Sequence, residues 1–195
     1  MANEPHRITL AEKPTRNCPA LFLDRDGTLI EDSGYVCRAE DVRLFPGVAA
    51  ALARFRDAGH ALVIVTNQSG IGRGLYGWTD YDAVAARLES LLAAEGVVFD
   101  AVVACGHAPE EGDRCGWRKP AAGMVRAATD LLSIDLSGSL LAGDKLIDMQ
   151  AAEAAGLSRA VHVATGQGAR DRAAIAAWQT KISVTSIESL AALSP

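Results

Sequence analysis

A chain of 195 residues, 49% hydrophobic and 22% charged, has the size and composition of one globular domain with a sizeable core. A formal net charge of −5 leaves no basic stripe to neutralise a phosphate backbone, which argues against a nucleic-acid partner. No apolar run approaches the roughly 20 residues that cross a bilayer, and residues 1–7 lack a hydrophobic secretion core. The sequence therefore predicts a soluble, cytoplasmic protein with no membrane partner.

Residues 1–17 are polar and unpatterned, and read as a mobile or loosely docked extension ahead of a single domain over 18–195. The apolar run 21–23 predicts a first strand, broken by Gly27-Thr28. Val48, Leu52 and Phe55 recur at helical spacing, with Gly59 as the stop. Residues 61–66 are nearly all β-branched or apolar, as in a strand covered on both faces. Thr79 and Asp82 have capping-box spacing ahead of the stripe Val84, Leu88, Leu91 and Leu92.

A third strand is predicted over 97–104. A helix marked by Met124, Ala127, Ala128 and Leu131 follows, then a strand over 139–142. Residues 146–155 read as a helix stopped by Gly156, and 159–163 as the next strand. The tail continues with a helical pattern to Trp178, a short strand near 182–184 and a terminal helix from Ser186. This alternation predicts an α/β fold with a doubly wound, mainly parallel sheet.

In such sheets ligands bind beyond the carboxyl ends of the strands. The first strand delivers Asp24 and Asp26, acids that repel each other unless a cation or proton lies between them. An Asx-type turn is the other reading of that pair. The second strand delivers Thr66-Asn67-Gln68-Ser69-Gly70 and a Gly-rich loop, the third leads to Arg118-Lys119-Pro120, and the fourth delivers Gly143-Asp144-Lys145 with Asp148 one turn on. Three acids, a hydroxyl and adjacent cations at one edge suit phosphoryl transfer. Mg²⁺ favours carboxylate and phosphate oxygens, so Asp24 and Asp144 are candidate ligands with Asp148 orienting them. Lys119 and Thr66 can hold the transferring group, and Asp26 can act as acid and base. Arg25 and Lys145 are assigned no role; solvated surface charges are the plainest reading of both.

Asp24-Arg-Asp-Gly-Thr28, Thr66-Asn-Gln-Ser69, Arg118-Lys-Pro120 and Gly143-Asp-Lys-Leu-Ile-Asp148 resemble, in order, the four motifs of haloacid dehalogenase-type phosphatases. Gly34-Tyr35-Val36, the run to Gly74, Gly123-Met124 and Asp148-Met-Gln-Ala-Ala152 are similar to the subgroup that contains heptose-bisphosphate and histidinol phosphatases. The resemblance implies a Mg²⁺-dependent phosphomonoesterase of small sugar phosphates with a Rossmann-like fold and no large cap domain. It implies Asp24 as the nucleophile forming an aspartyl-phosphate and Asp26 as general acid/base that also offers a carbonyl to the metal. Thr66 and Lys119 are then phosphate-binding, and Asn67, Arg73 and Arg118 contact substrate. The substrate expectation is a heptose 1,7-bisphosphate, cleaved to the 1-phosphate for bacterial surface-sugar precursors. Histidinol phosphate, or a non-catalytic sugar-phosphate-binding role, is the alternative. A monomer is favoured.

Cys105-Gly-His107 and Cys115-Gly-Trp117 offer three of the four closed N/S ligands that a structural Zn²⁺ requires. The resembling subgroup carries Cys-x-His…Cys-x-Cys here, and Trp117 stands at the last Cys position. Glu110, Glu111, Asp113 or water are the candidates to complete the set; a metal-free loop held by Trp117 packing is the other reading.

Overall fold

The computed structural model describes residues 5–112 and 115–195, the side chains at 111 and 112 excepted. In chain order the strands are β1 (His6–Leu10), β2 (Ala20–Leu23), β3 (Ala61–Asn67), β4 (Ala101–Cys105), β5 (Leu140–Gly143), β6 (Arg159–Val163) and β7 (Ser183–Ile187). The helices are α1 (Val48–Asp57), α2 (Ser69–Gly72), α3 (Trp78–Ala93), α4 (Pro109–Gly112), α5 (Gly123–Leu132), α6 (Leu146–Ala155) and α7 (Gly168–Ala177).

The continuous apolar runs become strands because both sheet faces are covered. Along β2, Leu21 and Leu23 enter one core with Leu62, Ile64 and the α1 and α3 residues Leu52, Phe55, Val84 and Leu88. Ala20 and Phe22 point the other way, against Val63, Val65, Met124, Ala128 and Met149. Burying each such Leu, Val or Phe stabilises the fold by about 1.5–3 kcal/mol before entropy is counted.

The strand order β1-β4-β3-β2-β5-β6-β7 is parallel except for β1. The chain winds outward from β2 through β3 to β4, then returns to the opposite side of β2 as β5. The topological switch therefore lies between β2 and β5, and the carboxyl ends of these two strands carry Asp24 and Asp144.

The predicted doubly wound sheet is present, with several local differences. His6–Leu10 is not a loose extension: it pairs antiparallel with β4, Ile8 opposite Val103 and Leu10 opposite Ala101. A boundary at residue 17 therefore cuts through the sheet. β4 begins at Ala101 rather than 97, because Val97 N–H still closes the end of α3 on Leu92 O with Gly96 left-handed. The cap of α3 is Gly77, whose N–H donates to Asp80 Oδ2 at 2.8 Å, so Thr79 lies inside the helix. The inward stripe of α5 is Met124, Val125, Ala128 and Leu132, which leaves Leu131 exposed. Ser186 and Ile187 belong to β7, paired with His162 and Val163, and the expected terminal helix is a 3-10 turn at Leu190–Ala192.

No large cap interrupts the described chain. Between β2 and α1 lie a 3-10 turn (Ala39–Asp41) and an isolated bridge from Ile30 to Leu44; between β3 and β4 lie α2 and α3. Among the described residues, no helix is long and apolar enough to cross a membrane.

Candidate active site

Four strand ends meet at the switch. Asp24 follows β2, its N–H bound to Ala142 O of β5 at 2.9 Å. Lys119 Nζ lies 2.7 Å from Asp24 Oδ1 and 2.6 Å from Asp148 Oδ1, and all three side chains are buried. Asp24, Asp144 and Asp148 each present an oxygen within 4.8 Å of the others'. Asp148 thus belongs to the carboxylate cluster itself, closer in than the outer orienting place expected for it. Its Oδ2 accepts from Lys145 N at 3.0 Å, which fixes the first turn of α6.

The charges do not balance without a cation. Burial, and then the negative charge of Asp24, push the Asp144 carboxyl up to about 7. Burial likewise raises Asp148. Burial would also raise Asp24, but Lys119 and then Lys145 hold it below the usual carboxylate range. Lys119 is kept cationic against its burial by Asp148 and Asp24. Asp144 Oδ2 accepts from Gln167 N–H at 2.8 Å, whereas Oδ1 accepts no hydrogen bond from any described residue and faces Lys145 Nζ at 3.5 Å. A buried, unsatisfied carboxylate oxygen beside two further acids fits a hard divalent cation such as Mg²⁺.

Asp26 is not part of this cluster. Arg25 Nε donates to it at 3.0 Å and Gln68 Nε2 at 2.9 Å. Its carboxylate is therefore not grouped with the other three acids, and any part in metal binding falls to its backbone. Arg25 is 2% exposed, which rules out the plain reading of a solvated charge; its Nη2 donates to Gln68 Oε1 at 3.0 Å, and it lies over the Tyr81 ring. Gln68 is the hub here. It also donates to Thr66 Oγ1 at 2.8 Å and accepts from Tyr76 OH at 2.7 Å. In the sequence Gln68 is only one amide in a run, because nothing local foretells that the Arg25-Asp26 segment, some forty residues away, meets it.

Asn67 engages both backbone groups of Lys119: Nδ2 donates to its carbonyl and Oδ1 accepts from its N–H, each at 3.0 Å. The amide thus positions the lysine as well as lining the cleft. Arg73, expected at the substrate, is 42% exposed and paired with Glu110 at 3.1 Å, outside the lining of the cleft. Arg73 caps the end of α2, its N–H donating to Ser69 O at 3.0 Å. The cleft itself has a volume of about 330 Å³ and is lined by Asp26, Asp32, Asn67, Gln68, Arg118 and Lys145, among others. Lys145 also faces Asp32 at 3.8 Å. Gln167 lines the same cleft.

The cysteine loop shows a second donor cluster. Cys105, His107 and Cys115 come together as expected, joined by His6 of β1, with one donor atom of each within 4.8 Å of the rest. The Glu111 side chain and Asp113 lie outside the described residues, and Glu110 is engaged with Arg73.

A family model described as polynucleotide kinase 3 phosphatase matches residues 20–154. A D-glycero-beta-D-manno-heptose-1,7-bisphosphate 7-phosphatase of Vibrio cholerae is 42% identical over 154 residues, covering 76% of this chain and 83% of its own. The protein of the same description from Escherichia coli K12 is 40% identical over 157 residues, covering 78% and 82%. The crystal structure of a D,D-heptose 1,7-bisphosphate phosphatase from B. bronchiseptica, complexed with magnesium and phosphate, superposes with a TM-score of 0.81 at 35% identity, covering 89% of this chain and 94% of that one.

Proposed function

The chain belongs to the haloacid dehalogenase-type phosphatases, in the group of the heptose-1,7-bisphosphate 7-phosphatases, and from that premise we propose that it removes the 7-phosphate of D-glycero-D-manno-heptose 1,7-bisphosphate. The observation that carries the reading is the buried set Asp24, Lys119, Asp144 and Asp148 at the switch between β2 and β5. Asp24 attacks phosphorus, forming an aspartyl-phosphate. Asp26 gives its proton to the departing sugar oxygen and then takes one from the attacking water, which restores Asp24. Thr66 Oγ1 and Lys119 Nζ hold the oxygens of the transferring group.

Asp24, Asp144 and the backbone carbonyl of Asp26 would hold Mg²⁺, with Asp148 beside them. When bound, the ion supplies the positive charge that lets a carboxylate approach a phosphate dianion. Arg118 and Lys145, on the walls of the cleft, suit the second phosphate of a bisphosphate. A cleft of about 330 Å³ in an acidic protein favours a small ester over a polynucleotide end. The four free thiols support a reducing, cytoplasmic compartment.

The test is phosphate release from heptose 1,7-bisphosphate, hexose bisphosphates and histidinol phosphate, each with and without Mg²⁺. Mg²⁺-dependent release highest on the heptose ester supports the reading. Preference for histidinol phosphate would move the substrate within the same chemistry, and no release from any ester would overturn both.

A further inference from the structure

We propose that His6, on the N-terminal edge strand, is the fourth ligand of a structural Zn²⁺ held with Cys105, His107 and Cys115. The metal would then fasten β1 to the loop that carries Arg118 and Lys119.

The strand register places the ligands. His6 and Cys105 are directly opposed in the antiparallel β1–β4 pair, and directly opposed side chains share a face of the sheet. His107 and Cys115 come from the segment that follows β4. Cys105 Sγ lies 3.6 Å from Cys115 Sγ and 3.6 Å from His107 Nδ1, and His6 Nε2 lies 3.0 Å from Cys115 Sγ. Tetrahedral zinc, with bonds of about 2.3 Å to sulfur and about 2.0 Å to nitrogen, separates its donors by about 3.3–3.8 Å, so the two 3.6 Å separations match and the His6 contact needs to open by about 0.5 Å. Two thiolates and two imidazoles form a closed set whose charge balances a divalent ion, of the kind that selects Zn²⁺ over Mg²⁺ or Ca²⁺.

Trp117 explains why His6 can serve. The residue standing at the last Cys position stacks on the His6 imidazole, centroids 4.5 Å apart and planes at 27°. Gly106 N–H also donates to Pro5 O at 2.7 Å, which anchors the backbone just before His6. The loop thus exchanges a ligand of its own for an aromatic platform that orients a ligand from β1. A disulfide is the competing use of the two thiols, but 3.6 Å far exceeds the about 2.05 Å of an S–S bond. The cluster also bears on the cleft, because Arg118 Nη1 donates to His107 O at 2.8 Å and Arg118 N–H to Cys115 O at 3.2 Å.

Protein purified without added metal is assayed for zinc by elemental analysis, and its zinc site is examined by X-ray absorption. The expected result is about one zinc per chain in a shell of two sulfur and two nitrogen atoms. His6→Ala should weaken zinc retention against a chelator by at least about tenfold, and adding Trp117→Cys to that variant should restore it by rebuilding a third thiolate. Co²⁺ replacement reads the same change as altered d–d bands. Wild-type protein that takes up no zinc, or a shell with a single imidazole, would overturn the proposal. So would His6→Ala holding zinc as tightly as wild type with an unchanged Co²⁺ spectrum. The absorption measurement needs only wild-type protein, so failure of a variant to fold leaves the test intact.

Discussion

Lys119 Nζ lies 2.7 Å from Asp24 Oδ1, a buried ion pair that ties the residue after β2 to the segment leading into α5. Because Lys119 also contacts Asp148 at 2.6 Å, removing the charge of Asp24 leaves the lysine paired. Asp24→Asn should therefore fold like the wild type yet lose at least about a thousandfold in kcat. An amide is a poor nucleophile and a poor metal ligand. Folding is checked by circular dichroism and turnover by phosphate release; substantial turnover in a preparation free of deamidation would remove Asp24 from the nucleophile role.

Asp26 sits among Arg25 and Gln68 rather than with the other acids, so its loss should affect proton transfer and leave metal binding intact. Asp26→Asn is expected to lower kcat by about 10²–10⁴-fold while Mg²⁺ affinity stays within about twofold. An activated ester whose leaving group needs no proton should recover much of the first step. Equal losses on activated and ordinary esters would contradict an acid/base role.

Gly166 has φ +57°, and a Cβ there would run into Gly27 Cα and Asp144 Oδ2. Gly166→Ala should cost about 1–3 kcal/mol of stability through the left-handed backbone and the crowding. It should also weaken Mg²⁺ binding by displacing the Asp144 carboxylate. Denaturant unfolding and calorimetric Mg²⁺ titration read the two effects; unchanged Mg²⁺ affinity would separate Asp144 from the metal.

His162 is buried, with Nδ1 3.1 Å from Ser186 Oγ and Nε2 3.0 Å from Gly168 O. Burial pushes its pKa below the usual value, although the Gly168 contact opposes that. The unfolded chain takes up a proton near pH 6.5 that the folded chain still refuses. The stability linked to this group is thus fully present above about pH 6.5 and is lost as pH falls toward the lower folded value. Between about pH 7.5 and 5, wild type should lose more unfolding free energy than His162→Gln, by up to about 1.4 kcal/mol per pH unit. Parallel stability curves for the two proteins would contradict this.

Much of the scaffold is legible along the chain. Residues 146–155 and 159–163 carry their own helix and strand patterns between turn signals, and the structure keeps those bounds as α6 and β6. The edge strand β1 is not legible that way. His6–Leu10 has only two aliphatic side chains, and its pairing depends on the open edge of β4. The rotation of the α5 stripe from Leu131 to Leu132 likewise depends on which neighbours the helix meets.

The sequence alone determined the alternation of strands and helices, the placing of Asp24, Thr66 and Asp144 at strand ends, and that of Lys119 in the segment after the third strand. These follow from local rules, since apolar periodicity reports burial and glycine and polar runs report turns. Only the tertiary structure decided that Gln68 links Arg25, Asp26, Thr66 and Tyr76, that Asn67 clamps the Lys119 backbone, and that His6 joins a cysteine loop about a hundred residues away. Apart from Thr66 and Tyr76, which lie within eight residues of Gln68, those partners are remote in the chain and meet through sheet order and register. A register is the outcome of competition among many pairings, so no single segment contains it.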